Sequence, residues 1–178
     1  MTDLRTTVQD DRGLIKKIQL AVPGFRGYRQ KEDVRIADSM LRLQVANSMN
    51  SLVLGVLEQV RERAARAMEL ESLNDIAVVI ADAKAAESRI RHAEQGYSGI
   101  SAAYRVGEEE LNTLYAYDLS LIDAIRVTGS SASAALDAAD SGNYAAVQVD
   151  LREVRSGIAG LNTMFLKRIE TMAGLGAF

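Results

Sequence analysis

Proline occurs once in 178 residues, at Pro23, and none of the 155 residues after it is a proline. A proline inside a helix removes an N–H donor and clashes with the preceding turn, so almost the whole chain is free of this breaker. Ala, Leu, Arg and Glu are abundant and favour helix. No long stretch alternates apolar and polar residues with the period of two that marks a half-buried strand. The fold class is therefore all-α, and apolar spacing places the helices.

Residues 13–22 set Leu14, Ile15, Ile18 and Val22 on one face and Lys16, Lys17 and Gln19 largely off it, a short amphipathic helix ended by the Pro23-Gly24 turn. A long helix is predicted from Gln30 to Met68. Its stripe is Val34, Ala37, Leu41, Val45, Met49, Leu52, Val56, Val60, Ala64 and Ala67, an 11-residue type of repeat that stays on one face of a nearly straight helix. The weak place is Asn47–Ser51, with Gly55 beyond it, where a kink is expected. The next helix is predicted to open at Ser72, a capping hydroxyl, and to bury Ile76, Val79, Ala83, Ala86, Ile90, Ala93 and Tyr97. Another starts at Glu108-Glu109-Glu110, acids that suit a helix N-terminus, with Leu111, Leu114, Tyr115, Leu119, Ile122 and Ile125 inward. Gly129-Ser130-Ser131 is expected to interrupt it before an Ala-rich piece ending near Asp140. After the Ser141-Gly142-Asn143 turn, Tyr144, Val147, Leu151, Val154, Ile158, Leu161 and Phe165 alternate spacings of 3 and 4, the mark of bundle or coiled-coil packing; Met172 extends that face.

The predicted architecture is an elongated antiparallel bundle of four long helices plus the short N-terminal amphipathic helix, because short connections favour antiparallel neighbours. A helix of about 38 residues would be roughly 57 Å long, too long for a sphere of this mass. The expected parts are an N-terminal helix and basic turn over 1–29, a helical bundle over 30–173 and a flexible tail over 174–178.

The chain has no cysteine, which removes disulfides, thiolate metal sites and a cysteine nucleophile. The first residues lack a signal-peptide layout, and no apolar run approaches the roughly 18 residues of a membrane span. A soluble, cytoplasmic protein is expected, able to lie against the inner face of a membrane. Residues 12–31 hold six bases and no acid, whereas 32–178 hold 14 bases and 21 acids. An acidic body disfavours a general nucleic-acid binder, whose footprint is a basic face.

The chemistry-bearing residues are sparse in pattern. His92 is the one histidine and has Arg89 where a Glu-x-x-His metal motif would need Glu; it reads as a solvated surface residue. Asp118 and Asp123 sit among apolar residues of the fourth helix, the one that starts at Glu108, a placement that reads as the margin of its stripe. A buried carboxylate there would instead be a site candidate. Gly-x-x-Gly occurs at Gly24–Gly27, Gly96–Gly99 and Gly157–Gly160, and in the last helix it reads as close packing. Tyr97, Tyr104, Tyr115 and Tyr117 gather where two helices join, as an end cap on the core or as a ligand pocket. Neither cofactor nor metal is called for by these patterns.

The segment that stands out runs from Arg12 to Lys31. Leu14, Ile15, Lys16, Lys17, Ile18, Phe25, Arg26, Tyr28 and Arg29 are its candidate membrane- or partner-binding residues. A basic amphipathic helix can lie on an anionic surface; alternatively Leu14, Ile15 and Ile18 dock on the bundle. The run Gly24-Phe25-Arg26-Gly27-Tyr28-Arg29-Gln30-Lys31-Glu32-Asp33-Val34-Arg35-Ile36-Ala37-Asp38 opens a stretch, residues 24–43, that resembles a group of uncharacterised prokaryotic helical proteins, with no activity to carry over. The long-helix pattern is similar in architecture to phage-shock-protein A and other membrane-remodelling coiled-coil proteins. The expected function is a non-enzymatic scaffold or adaptor that forms homo-oligomers and engages anionic lipid or an acidic protein. The alternative is a helical-bundle enzyme, or a small-ligand or metal-binding protein, with its site near the Tyr97–Tyr117 junction and Asp118.

Overall fold

A computed structural model describes residues 13, 15–22, 31–93 and 108–174, with side chains described for 13, 15–22, 38–93 and 112–171. Every element among these residues is helical: α1 over 15–21, α2 (Lys31–Ser48), a π-helical turn (Met49–Leu54), α3 (Gly55–Arg66), α4 (Leu70–Arg91), α5 (Glu108–Asp140) and α6 (Tyr144–Gly174).

The expected weak place at Asn47–Ser51 is the π turn. The Gly55 N–H donates to Asn50 O, an i→i−5 bond that adds a residue to the turn. Ser51 Oγ donates back to Asn47 O at 3.1 Å, supplying a partner where the α-helical ladder is disturbed. The apolar stripe moves on by one residue here. Met49 is buried as predicted, but Val53 and Leu57 follow it inward, while Leu52 faces solvent and Val56 is half-buried. Beyond the turn, Val60 and Ala64 return to the predicted positions.

Two helix ends share one device. Glu69 N–H donates to Ala64 O and Met68 N–H to Ala65 O, with Met68 at φ 60°; Asn143 N–H donates to Ala138 O and Gly142 N–H to Ala139 O, with Gly142 at φ +74°. Both are Schellman endings, which place the residue after the cap in the left-handed region that glycine adopts without steric cost. The first feeds α4 directly, so α4 opens at Leu70 and Ser72 is buried inside it, not capping it. At the second, Asn143 Oδ1 accepts from the Ala146 N–H at 3.1 Å and caps α6.

The expected break at Gly129-Ser130-Ser131 does not occur, and α5 runs through it. Thr128, Ser130 and Ser131 hydroxyls each donate to the carbonyl four residues earlier, which satisfies them within the helix. Gly129 is needed for approach: a Cβ there would lie 2.8 Å from Leu52 Cβ. Leu114, Tyr115, Leu121 and Ile125 are buried on α5, whereas Leu119 and Ile122 are half-buried flanks.

The side-chain pairs fix relative direction. Thr128 lies against Gly157, so α6 runs back along α5. Asp82 pairs with Arg155 and Arg89 with Asn162, so α4 and α6 run parallel with a constant offset of 73 residues. Arg63–Asp140 and Leu52–Gly129 hold α3 parallel to α5 in the same manner. The neighbours therefore succeed one another as α3, α4, α6 and α5 around a shared core. The seam Val147, Leu151, Val154, Ile158, Leu161 and Phe165 is buried throughout, and Ile18 and Val22 belong to the same core.

Candidate functional site

The apolar seam of α6 continues past Phe165 to Arg168, three residues on, which is as buried as the leucines before it at 0% exposure. A guanidinium cannot be left unpaired in such a place. Arg168 Nε donates to Asp118 Oδ1 at 2.5 Å, and its Nη1 donates to Asp38 Oδ1. Asp118, on α5, is 0% exposed. Asp38, on α2, uses its other oxygen to accept from Arg42 Nε at 2.8 Å. The guanidinium of Arg42 then reaches the end of α4, where Nη1 donates to Ala93 O at 3.0 Å and to Arg91 O at 3.3 Å.

Each helix supplies its member by ordinary spacing. Asp38 and Arg42 are four apart on one face of α2, so the pair forms within the helix. Asp118 lies three residues after Tyr115 and three before Leu121, both buried. The planar fork of arginine suits this role, since it offers several donors in fixed directions. Arg42 also places positive charge on carbonyls that a helix C-terminus leaves without partners. Two arginines and two aspartates balance in charge. No buried side-chain nitrogen or oxygen among the described residues lacks a hydrogen bond.

The polar ladder continues outward to the π turn. Arg91 Nε donates to Glu87 Oε1 at 2.5 Å and Nη2 to Asn47 Oδ1 at 2.9 Å. Asn50 Nδ2, inside the π turn, donates to the same Glu87 oxygen at 3.3 Å. One connected set of polar groups thus joins α2, the π turn, α4, α5 and α6. Its chemistry is that of a clasp, which fixes helices against one another through directional, charge-assisted bonds.

The placement of Asp118 corrects the sequence reading, which put it at the margin of the α5 stripe; Asp123, read in the same way, is exposed and pairs with Arg126. Arg168, Asp38 and Arg42 were not singled out. The signal for Arg168 was a charged residue on an uninterrupted heptad seam, between Phe165 and Met172.

Of the predicted binding residues, Leu14, Phe25, Arg26, Tyr28 and Arg29 lie outside the described residues. Ile18 is fully buried, Ile15 packs half-buried on the core, and Lys16 and Lys17 are exposed. Leu20 joins the two lysines on the outward side, at 81% exposure. Tyr115 is buried and Tyr117 half-buried, while Tyr97 and Tyr104 fall outside the described residues. His92 is exposed at the end of α4, its N–H donating to Ser88 O. Gly157 packs against Thr128, but a Cβ on Gly160 would meet nothing within 4 Å; close packing thus accounts for the first glycine only. The other two Gly-x-x-Gly runs lie outside the described residues. The chain matches no protein-family model, no curated protein and no solved structure.

Proposed function

We propose that the chain is a non-enzymatic helical scaffold or adaptor that associates with itself in the cytoplasm. In this reading α2, the π turn and α3 act as one member, and the molecule is an elongated bundle of four long members in which consecutive members run antiparallel. The observation that carries it is the set of large apolar side chains directed outward from a clasped frame: Leu43, Val78, Val127, Val149 and Leu166 are exposed on the helices, and Met68 and Leu70 at the α3–α4 turn. Apolar surface on rigid helices is suited to helix-to-helix association. Sedimentation velocity over a concentration series is the test. A species heavier than 19.3 kDa that grows with concentration is expected; a monomer throughout would refute self-association.

A second reading, contact with an anionic membrane surface, is favoured by α1. Lys16, Lys17 and Leu20 share its outward side while Ile18 and Val22 dock inward, so contact needs no undocking of the helix. No helix among the described residues is long and apolar enough to cross a membrane. Bases near an anionic leaflet contribute about 1 kcal/mol each. Co-sedimentation with anionic vesicles should fall on Leu20→Ser and on Lys16→Gln with Lys17→Gln. Equal binding to neutral vesicles would count against this face.

A further inference from the structure

Helix α6 carries a second heptad stripe, opposite its buried seam. Val149, Glu153, Ser156, Gly160, Thr163 and Lys167 follow at spacings of 4, 3, 4, 3 and 4; all are exposed except Gly160, which is half-buried. Two features of this stripe suit a contact with another molecule. Gly160 is a mid-helix glycine with open space where its Cβ would be, and such a glycine disfavours the helix relative to alanine. Glu153 and Lys167, both exposed, make no ion pair among the described residues, so each can meet a charge on another molecule.

Glu153 and Lys167 each stand seven residues, two turns, from Gly160, with opposite sign. A twofold axis crossing antiparallel copies of α6 at Gly160 sets Glu153 of one copy beside Lys167 of the other, and does so twice. A parallel pair would set like against like. The missing side chain at Gly160, with Ser156 and Thr163 on either side, lets the two backbones approach where the axis passes, and interaxial distance follows the size of the side chains at the crossing. Val149 adds apolar area at each end of the stripe.

We infer that this face of α6 is the surface on which a second copy of the chain docks, antiparallel, with Gly160 at the twofold axis. This rests on the self-association reading and names the surface that performs it.

The test uses the full chain. Because it contains no cysteine, Gly160→Cys introduces one thiol, and two such thiols at the axis fall within disulfide reach, about 4.4–6.8 Å between Cα atoms. Mild oxidation should convert most of the protein to a covalent dimer, whereas the exposed Ala81→Cys on α4 should give little. Gly160→Leu should raise the dimer dissociation constant roughly 100-fold by forcing bulk into the contact, while the melting temperature of the monomer stays level or rises. Glu153→Lys and Lys167→Glu should each weaken the dimer about tenfold, each being counted twice by symmetry, and the double reversal should restore it. A wild-type chain that stays monomeric overturns both this inference and the self-association reading. A wild-type dimer indifferent to Gly160→Leu, with no rescue by the double reversal, overturns this face and leaves self-association standing.

Discussion

Arg168→Met removes the charge at the centre of the clasp and keeps an unbranched side chain of helix-forming type. Asp118 then loses the guanidinium that donates to it at 2.5 Å, while Asp38 keeps Arg42. Breaking a buried ion pair by deleting one partner costs about 3–5 kcal/mol, against a total stability for small proteins of about 5–15 kcal/mol. Asp118→Leu leaves the one carboxylate of Asp38 to serve both Arg168 and Arg42, a buried excess of positive charge that should cost a similar amount. The double variant Arg168→Met with Asp118→Leu removes both charges together and leaves the balanced Asp38–Arg42 pair, so it should lie within about 1–2 kcal/mol of the parent. Urea denaturation followed by far-ultraviolet circular dichroism gives the three free energies. Additive losses, with the double variant worse than either single one by the full sum, would show that the two groups act independently and that the clasp reasoning is wrong.

Gly157→Ala should destabilise by about 1–3 kcal/mol, since its Cβ would overlap Thr128 and that clash outweighs the gain in helix propensity; a melt at or above the parent's would refute the close contact. Met68→Gly should stabilise by about 0.5–1 kcal/mol, because Met68 holds φ 60° at some steric cost, and Gly142→Ala should destabilise by a similar amount; matched chemical denaturation curves check both. Leu161→Ala should cost about 2–5 kcal/mol, whereas Arg155→Ala, whose exposed pair with Asp82 is weak, should cost less than about 1 kcal/mol. If the four-member arrangement is elongated, small-angle scattering of the monomer should give a radius of gyration above the roughly 16 Å of a compact chain of this length.

Helical spacing was legible wherever one face stays buried along a whole helix. Leu151, Val154, Ile158, Leu161 and Phe165 are predicted and buried alike, because the 3-4 alternation records burial directly. The spacing could not report a change of helix type. The π turn moves the stripe by a residue, and Leu52, inward by counting, faces solvent; Asn47–Ser51 marked the place without saying in which direction the register would move. Gly129-Ser130-Ser131 misled for another reason: local propensity disfavours helix there, but tertiary contact with Leu52 and hydroxyl-to-carbonyl bonds within the helix decide the matter. The clasp was half legible. A charged residue on an apolar seam is visible at Arg168, yet its counterparts lie 50 and 130 residues away, and spacing within one helix carries no information across such distances.

That separation has a consequence for how the protein is made. Asp38 meets Arg42 within its own helix, but Asp118 leaves the ribosome 50 residues ahead of Arg168, a delay of roughly 2.5–10 s at ordinary elongation rates. Over that interval α2, α4 and α5 can bring Asp38, Arg42 and Asp118 together, but without Arg168 the cluster holds two carboxylates and one guanidinium, and that net negative charge resists burial. By this argument the earlier helices should not lock into a dry, closed core before α6 is made. A nascent chain stalled ahead of Arg168 should remain open to proteases and to chaperones, and closure should come in one late step. The clasp thus bears on the order of assembly as well as on its geometry, because α6 carries the charge that completes it.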